Sequence, residues 1–201
     1  MDNVLSLRVC QYAEAVGLRD VLTSRDLAGK MLSRVLSDTR NSLEAGSIID
    51  CSFESVTICD TSFADQFILN LQSKILSLDN VLMRLSHCEV GVLENINAAL
   101  AYRNERIKKQ ISDIPRLNIL LFSEGSYKIL GHIEKSLEQA FEVIQKTACG
   151  VTARILADTL EIEGGNNAAN RLKKLYDLRL VCRSESIDET GRQFVYYIPE
   201  E

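Results

Sequence analysis

The sequence has no apolar run approaching the roughly 20 residues needed to span a bilayer. Its start, MDNVLSLRVC, lacks the basic segment that opens a secretory signal. Both absences lead to the expectation of a cytoplasmic chain with no membrane contact. Six cysteines occur, Cys10, Cys51, Cys59, Cys88, Cys149 and Cys182, but no two are spaced C-x-x-C and most lie in apolar runs. Reduced, buried small hydrophobes are therefore expected, not a disulfide framework or a metal site. Histidine is scarce: His87 and His132 are the only two, neither with a carboxylate or cysteine at metal-ligand spacing. A phosphate-cradling glycine loop is missing too, the nearest candidate being EGG at 163–165, inside a turn between two predicted helices. With no nucleophile and base in a recognisable constellation, neither an enzyme nor a cofactor is expected.

What is present is ordinary globular material: 201 residues, 46% hydrophobic and 25% charged, enough for one sizeable domain or two small ones. The net charge of −5 argues against coating nucleic acid by bulk electrostatics. It leaves room for a local basic face.

The first 122 residues alternate between short apolar runs and helical periodicity. VLSLRVC at 4–10 reads as a strand, and Thr23 or Ser24 caps a helix carrying Leu27, Ala28, Met31, Leu32 and Val35 on one side. The adjacent Ile48 and Ile49 of SIIDCS fit a strand covered on both faces, and VTI at 56–58 is expected to continue or pair with it. DTSFADQFILNLQSKI follows with Ala64, Phe67, Ile68, Leu71 and Ile75 at helical spacing. A strand at 81–86, a helix at about 89–108 and a strand at 116–122, after Pro115, complete a small sheet covered by helices. Residues 123–133, opening with SEGSYKILG, read as a linker.

From 134 the rhythm changes. A helix carries Ile133, Leu137, Ala140, Phe141 and Ile144; ACGVT interrupts it, and Thr152 caps a helix with Ala153, Leu156, Ala157 and Leu160. EIEGGNN turns into a third helix at about 166–178, and LVCRS, IDETG and RQFVYYIP form a hairpin with a polar tip. Helix, short strand, helix, turn, helix and hairpin is the order of a winged helix-turn-helix. On the third helix Leu172, Leu175 and Tyr176 are expected to face the core, and Asn167, Asn170, Arg171 and Lys174 to form a stripe facing away from it. Asparagine suits an adenine edge, arginine a guanine edge, and lysines such as Lys173 suit phosphates. Arg192 on the hairpin completes the candidate DNA-binding set. The acids of this half gather at Glu134, Glu138 and Glu142 and at Asp188 and Glu189. Surface helices also carry such residues without touching DNA, so a protein-docking or dimerising helix stays open beside the DNA reading.

VTARILADTLEIEGGNNAANRLKKLYDLRLVCRS, closed by GRQFVYYIP, resembles bacterial winged-helix transcriptional regulators over about 70 residues. It departs from them at Arg179, where glycine is usual. TSRDLAGKML at Thr23–Leu32, IIDCSFESVTICDTSFADQF at Ile48–Phe67 and NINAALAYRN at Asn95–Asn104 resemble STAS-like bacterial domains, relatives of anti-sigma-factor antagonists, over about 115 residues. Asp50 and the corner beginning at Asp60 carry the likeness. In the antagonists a hydroxyl residue after the corner aspartate is phosphorylated by a kinase of the GHKL ATPase type. The resemblance therefore implies Asp60 as the acidic residue and Thr61 as phospho-acceptor, with Ser62 and Asp65 beside them in a partner-docking corner; the residues by themselves equally allow Asp60 or Thr61 as a plain helix N-cap. Phe63 stands where the antagonist corner has glycine. The implied protein is an α/β STAS-like domain at 1–122 joined to a winged helix-turn-helix at 134–201. Its expected partners are duplex DNA, a protein such as a GHKL-type ATPase, and a second copy in a homodimer. The alternative is an adaptor that binds no DNA and switches like an anti-sigma-factor antagonist.

Overall fold

The computed structural model describes residues 4–39, 43–110, 116–163, 165–188 and 191–199. Pro115, Gly164 and Glu189 lie outside them.

Strand β1 (Val4–Arg8) runs directly into a short helix, α1 (Val9–Glu14). The strand expected over 4–10 therefore ends two residues early, because Val9 and Ala13 are buried one helical turn apart. The two-residue β2 (Val21–Leu22) precedes α2 (Arg25–Thr39), which buries Ala28, Met31, Leu32 and Val35 as the periodicity predicts. Next come β3 (Ile48–Ser52) and β4 (Ile58–Cys59). Contrary to expectation, β4 pairs with β2, in parallel, and not with β3. A continuous helical stretch begins at α3 (Thr61–Ala64), passes through a π-helical turn (Asp65–Leu69) and ends as α4 (Asn70–Ile75). That wider turn lets Phe67, Ile68 and Leu69 all reach the interior, together with Phe63 and Ala64 before it. Strand β5 (Leu82–Ser86), helix α5 (Val90–Gln110) and strand β6 (Ile119–Ser123) follow.

Residues 123–133, expected as a linker, carry β7 (Ser126–Leu130), which pairs antiparallel with β6. Its turn is Glu124 and Gly125, at φ 54° and 73°, the left-handed pair that a two-residue hairpin needs. The main sheet is ordered β1-β3-β5-β6-β7, its first four strands parallel.

That order has a consequence for the second half. Each crossover from β1 to β6 moves the chain one strand in the same direction, so right-handed connections put their helices on one face. Leu7, Ile49, Cys51, Met83, Leu85, Ile119 and Leu121 form that face's core with α2 to α5. Ile48, Leu82 and Leu120 point to the other face. Apolar side chains there need a cover, and the C-terminal half supplies it.

That half comprises α6 (Lys135–Gln145), α7 (Ala153–Thr159), α8 (Gly165–Asp177) and the hairpin β8 (Cys182–Asp188) with β9 (Gly191–Tyr197). Leu137, Ala140, Phe141, Ile144, Leu172, Leu175 and Tyr176 share one core with Ile48, Leu82 and Leu120. Between α6 and α7 the chain passes beside β9: Val151 bridges to Tyr196, and a Cβ on Gly150 would lie 2.6 Å from Val195 Cγ1. Glycine is required there on space as well as by its φ of 76°. Thr152 caps α7, its hydroxyl oxygen accepting from Ile155 N at 3.3 Å. No helix among the described residues is long and apolar enough to cross a membrane.

Candidate functional site

Helix α8 buries Ala168, Leu172, Leu175 and Tyr176 along one side. Asn166, Asn167, Asn170, Lys173, Lys174 and Asp177 are exposed on the opposite arc, and Arg171, at its border, is half-buried. Nothing in the described residues of the N-terminal half covers Asn167 or Asn170. Lys173 pairs with Asp177 at 2.6 Å and Lys174 with Glu134 at 3.5 Å. Both pairs are solvent-exposed, where such contacts hold a side chain only weakly, so each ammonium can exchange its carboxylate for another anion. Asn167 donates through Nδ2 to Glu163 O at 3.3 Å, leaving its carbonyl outward-facing chemistry intact. Arg192 sits apart on β9, exposed and paired with Glu185. The hairpin end expected to be polar carries Ile187, 83% exposed. In the hairpin register it stands opposite Arg192.

The end of α8 is locked to the N-terminal half by residues that sequence reasoning did not single out for this. Tyr176 donates its hydroxyl to Asp79. Its phenol is pushed above the usual range, by burial first and by that hydrogen bond second. Arg179 takes the left-handed position just past the helix, at φ 54°. Its Nε donates to Leu78 O at 2.7 Å, its Nη1 to Tyr176 O at 2.9 Å, and its guanidinium lies 4.8 Å from the Tyr176 ring. Arg183 N donates to Asn80 Oδ1 at 2.8 Å. The residue that breaks the usual glycine pattern is thus the one that grips the loop at 78–80. The visible signal was the departure itself.

At the corner of 58–67, Asp60 is the helix N-cap. Its Oδ1 accepts from Phe63 N at 2.6 Å and from the Ser62 hydroxyl at 2.8 Å. Thr61 is exposed at the first helical position and Ser62 is half-buried. Phe63 turns inward, fully buried and 5.8 Å from the Phe67 ring, so it does not obstruct the surface around Thr61. Asp65 does more than complement the helix dipole: it pairs with Arg25 at 3.2 Å and Arg103 at 2.8 Å, tying α2 and α5 to the π-helical turn. Beside the corner, Val21 and Ile58, opposite each other on β2 and β4, are both exposed.

A second polar centre lies on the sheet, at the carboxyl ends of β3, β5 and β6. Arg84 Nε donates to Asp50 Oδ1 at 2.9 Å and Nη1 to the Tyr127 hydroxyl at 2.8 Å, while the guanidinium lies 4.4 Å from the Phe122 ring. Both charges are nearly buried, with 4% and 11% of their side chains exposed. They border a hollow of about 390 Å³ that Ser86, His87 and Cys88 also line. Ser52 and Ser86 each place a hydroxyl 3.2 Å from His87 Nδ1. Asp50 is accordingly spent on a structural ion pair, whereas Thr61 and the α8 face are open to contact.

All six cysteines are unpaired thiols; Cys51, Cys59 and Cys182 are buried, Cys10 and Cys88 are half-buried, and Cys149, against expectation, is exposed. Burial pushes the Cys59, Cys88 and Cys182 thiols up to about 12, which keeps them protonated and poor as nucleophiles or ligands at neutral pH. Among the described residues no group of three or more histidine, cysteine or carboxylate side chains is placed to hold a metal. Compared with protein-family models, curated proteins and solved structures, the chain shows no match.

Proposed function

We propose that this chain is a DNA-binding regulator whose N-terminal half docks a protein partner at the Thr61 corner and whose C-terminal half lays α8 in a major groove, as a homodimer. The observation that carries the reading is the uncovered arc of α8, where Asn167, Asn170 and Lys174 stand on one exposed stripe with Arg171 at its margin. Support comes also from the element order, helix, bridge at Val151, helix, helix and hairpin, which is that of a winged helix-turn-helix with its second helix outward. Amide and guanidinium groups on such a helix read base edges, and the flanking lysines hold phosphates.

The test is a gel shift against duplex fragments flanking the gene, comparing wild type with Asn170→Ala/Arg171→Ala. Neither side chain is buried, so the double variant keeps its fold by circular dichroism while losing specific binding, each lost base contact weakening it by about 1–3 kcal/mol. Unchanged binding by the folded variant refutes the assignment of α8.

A second reading, the adaptor, is favoured by Ile187, exposed at the hairpin end where a wing would meet phosphates, and by the carboxylate partners of Lys173 and Lys174. In that case the hairpin docks protein. The Thr61 corner serves both readings: its exposed hydroxyl and the neighbouring Val21 and Ile58 fit contact with a GHKL-type ATPase. Mass spectrometry after incubation with such a kinase would find phosphate on Thr61 or Ser62; its absence leaves the corner as a helix cap and contact surface.

A further inference from the structure

Following the exposed stripe of α8 toward its C-terminal end leads off the C-terminal half altogether. Lys174, Asp177 and Leu178 form one wall of a cleft of about 350 Å³, and Arg116, Asn118, His132 and Glu134 line it as well. Arg116 and His132 also line a second hollow, of about 440 Å³, whose other wall is the last two turns of α5, with Asn104, Glu105 and Lys108. Two adjoining hollows that share Arg116 and His132 make one furrow, running from Lys174 to Lys108 across the junction between the two halves.

Charge along the furrow is asymmetric in a way the net charge of −5 conceals. Its three acids are each matched to a lysine: Glu134 to Lys174, Asp177 to Lys173 and Glu105 to Lys109. Lys108 and Arg116 have no carboxylate partner among the described residues, and both are exposed. On the helical wheel Lys174 points the same way as Asn167 and Asn170, and it shares its cleft with Arg116, which in turn shares the adjoining hollow with Lys108. The shared core and the Arg179 grip fix the two halves together, so the duplex cannot avoid this surface by swinging α8 outward.

We infer that Lys108 and Arg116 of the N-terminal half are phosphate-binding residues, and that the furrow takes the sugar-phosphate backbone of the duplex whose groove α8 occupies. This rests on the DNA reading proposed above and extends it: the N-terminal half becomes part of the nucleic-acid interface itself. The side chains contribute no sequence information, since they meet only phosphates, and they raise affinity equally for all sequences.

Counterion release makes the inference measurable. Each phosphate neutralised adds about 0.9 to the slope of log affinity against log salt. Binding of a fluorescein-labelled 30-base-pair duplex is followed by anisotropy between 50 and 200 mM salt for three proteins: wild type, Lys108→Ala/Arg116→Ala, and the charge-matched Lys30→Ala/Arg34→Ala, whose changes lie on α2, across the sheet from α8. The furrow variant is expected to lose about 1.8 from the slope, so that over this range its affinity falls about 12-fold less than that of wild type. The α2 variant keeps the wild-type slope. Wild-type binding with an unaltered slope in the furrow variant overturns the inference and leaves the α8 reading standing. An equal loss in both variants overturns it as well, since that reports overall charge. If wild type binds no duplex at all, the DNA reading fails and the furrow assignment falls with it.

Discussion

Replacing Arg179 separates two accounts of why it departs from glycine. If the position asked only for a left-handed backbone, glycine would improve it, because a non-glycine residue at φ 54° costs about 1–2 kcal/mol. The structure sets against this two hydrogen bonds from a charged donor, to Leu78 O at 2.7 Å and Tyr176 O at 2.9 Å. Each such bond is worth about 1.5–3 kcal/mol, and the lower figure applies because water can reach the carbonyls once the side chain is gone. The ion pair to Asp79, 3.9 Å away and on an 81% exposed carboxylate, adds little. Arg179→Ala therefore loses about 3 kcal/mol while keeping the strain, and Arg179→Gly recovers about 1 of these, for a net loss of about 2 kcal/mol. For a chain of this length, about 2 kcal/mol lowers Tm by roughly 4–8 °C. Urea denaturation followed by circular dichroism should rank wild type above the glycine variant and the glycine variant above alanine. A glycine variant as stable as wild type, or more so, would refute the grip on Leu78 as an energetic contact.

Leu82→Ala empties a fully buried site in the core shared by both halves, costing about 3 kcal/mol; calorimetry should find one cooperative transition moved down, and an unshifted C-terminal transition would show that the halves fold independently. Asp50→Ala strands the buried Arg84 guanidinium and should cost about 3–5 kcal/mol, while Asp50→Leu/Arg84→Met should restore much of it; a double variant no better than the single, in a denaturant titration, would assign the cost to shape instead of charge. Cys59 and Cys182 are held up to about 12 by burial, against an ordinary thiol value of 9.0. Unfolded thiols ionise first, so this contribution is complete below about pH 8.5 and is lost as pH rises toward 12. At pH 10 the loss is about 1.4 kcal/mol per thiol, and Cys182→Ala should flatten the fall of Tm between pH 7.5 and 10 in reducing buffer.

The parts of this fold that could be read from sequence are those fixed by local patterns. Helical spacing gave α2, α6, α7 and α8, and Thr152 caps α7 as its position suggests. The exposed arc of α8 follows from the same periodicity, since Leu172, Leu175 and Tyr176 bury one side and Asn167, Asn170 and Lys174 are left on the other. Strand β7 was missed although Glu124-Gly125 between two β-forming runs is a hairpin signal; the polar residues around it resembled a linker. The pairing of β4 with β2 and the furrow from Lys108 to Lys174 were not accessible in that way, because each joins residues far apart in the chain, brought together only by topology. Topology also turns a plausible two-domain reading into a constraint. A sheet wound in one direction leaves Ile48, Leu82 and Leu120 bare on its second face, and burying them against α6 and α8 orients the candidate groove helix toward Arg116. The same burial that stabilises the sheet therefore sets the α8 stripe beside Arg116 and Lys108, and under the DNA reading proposed above these form one interface.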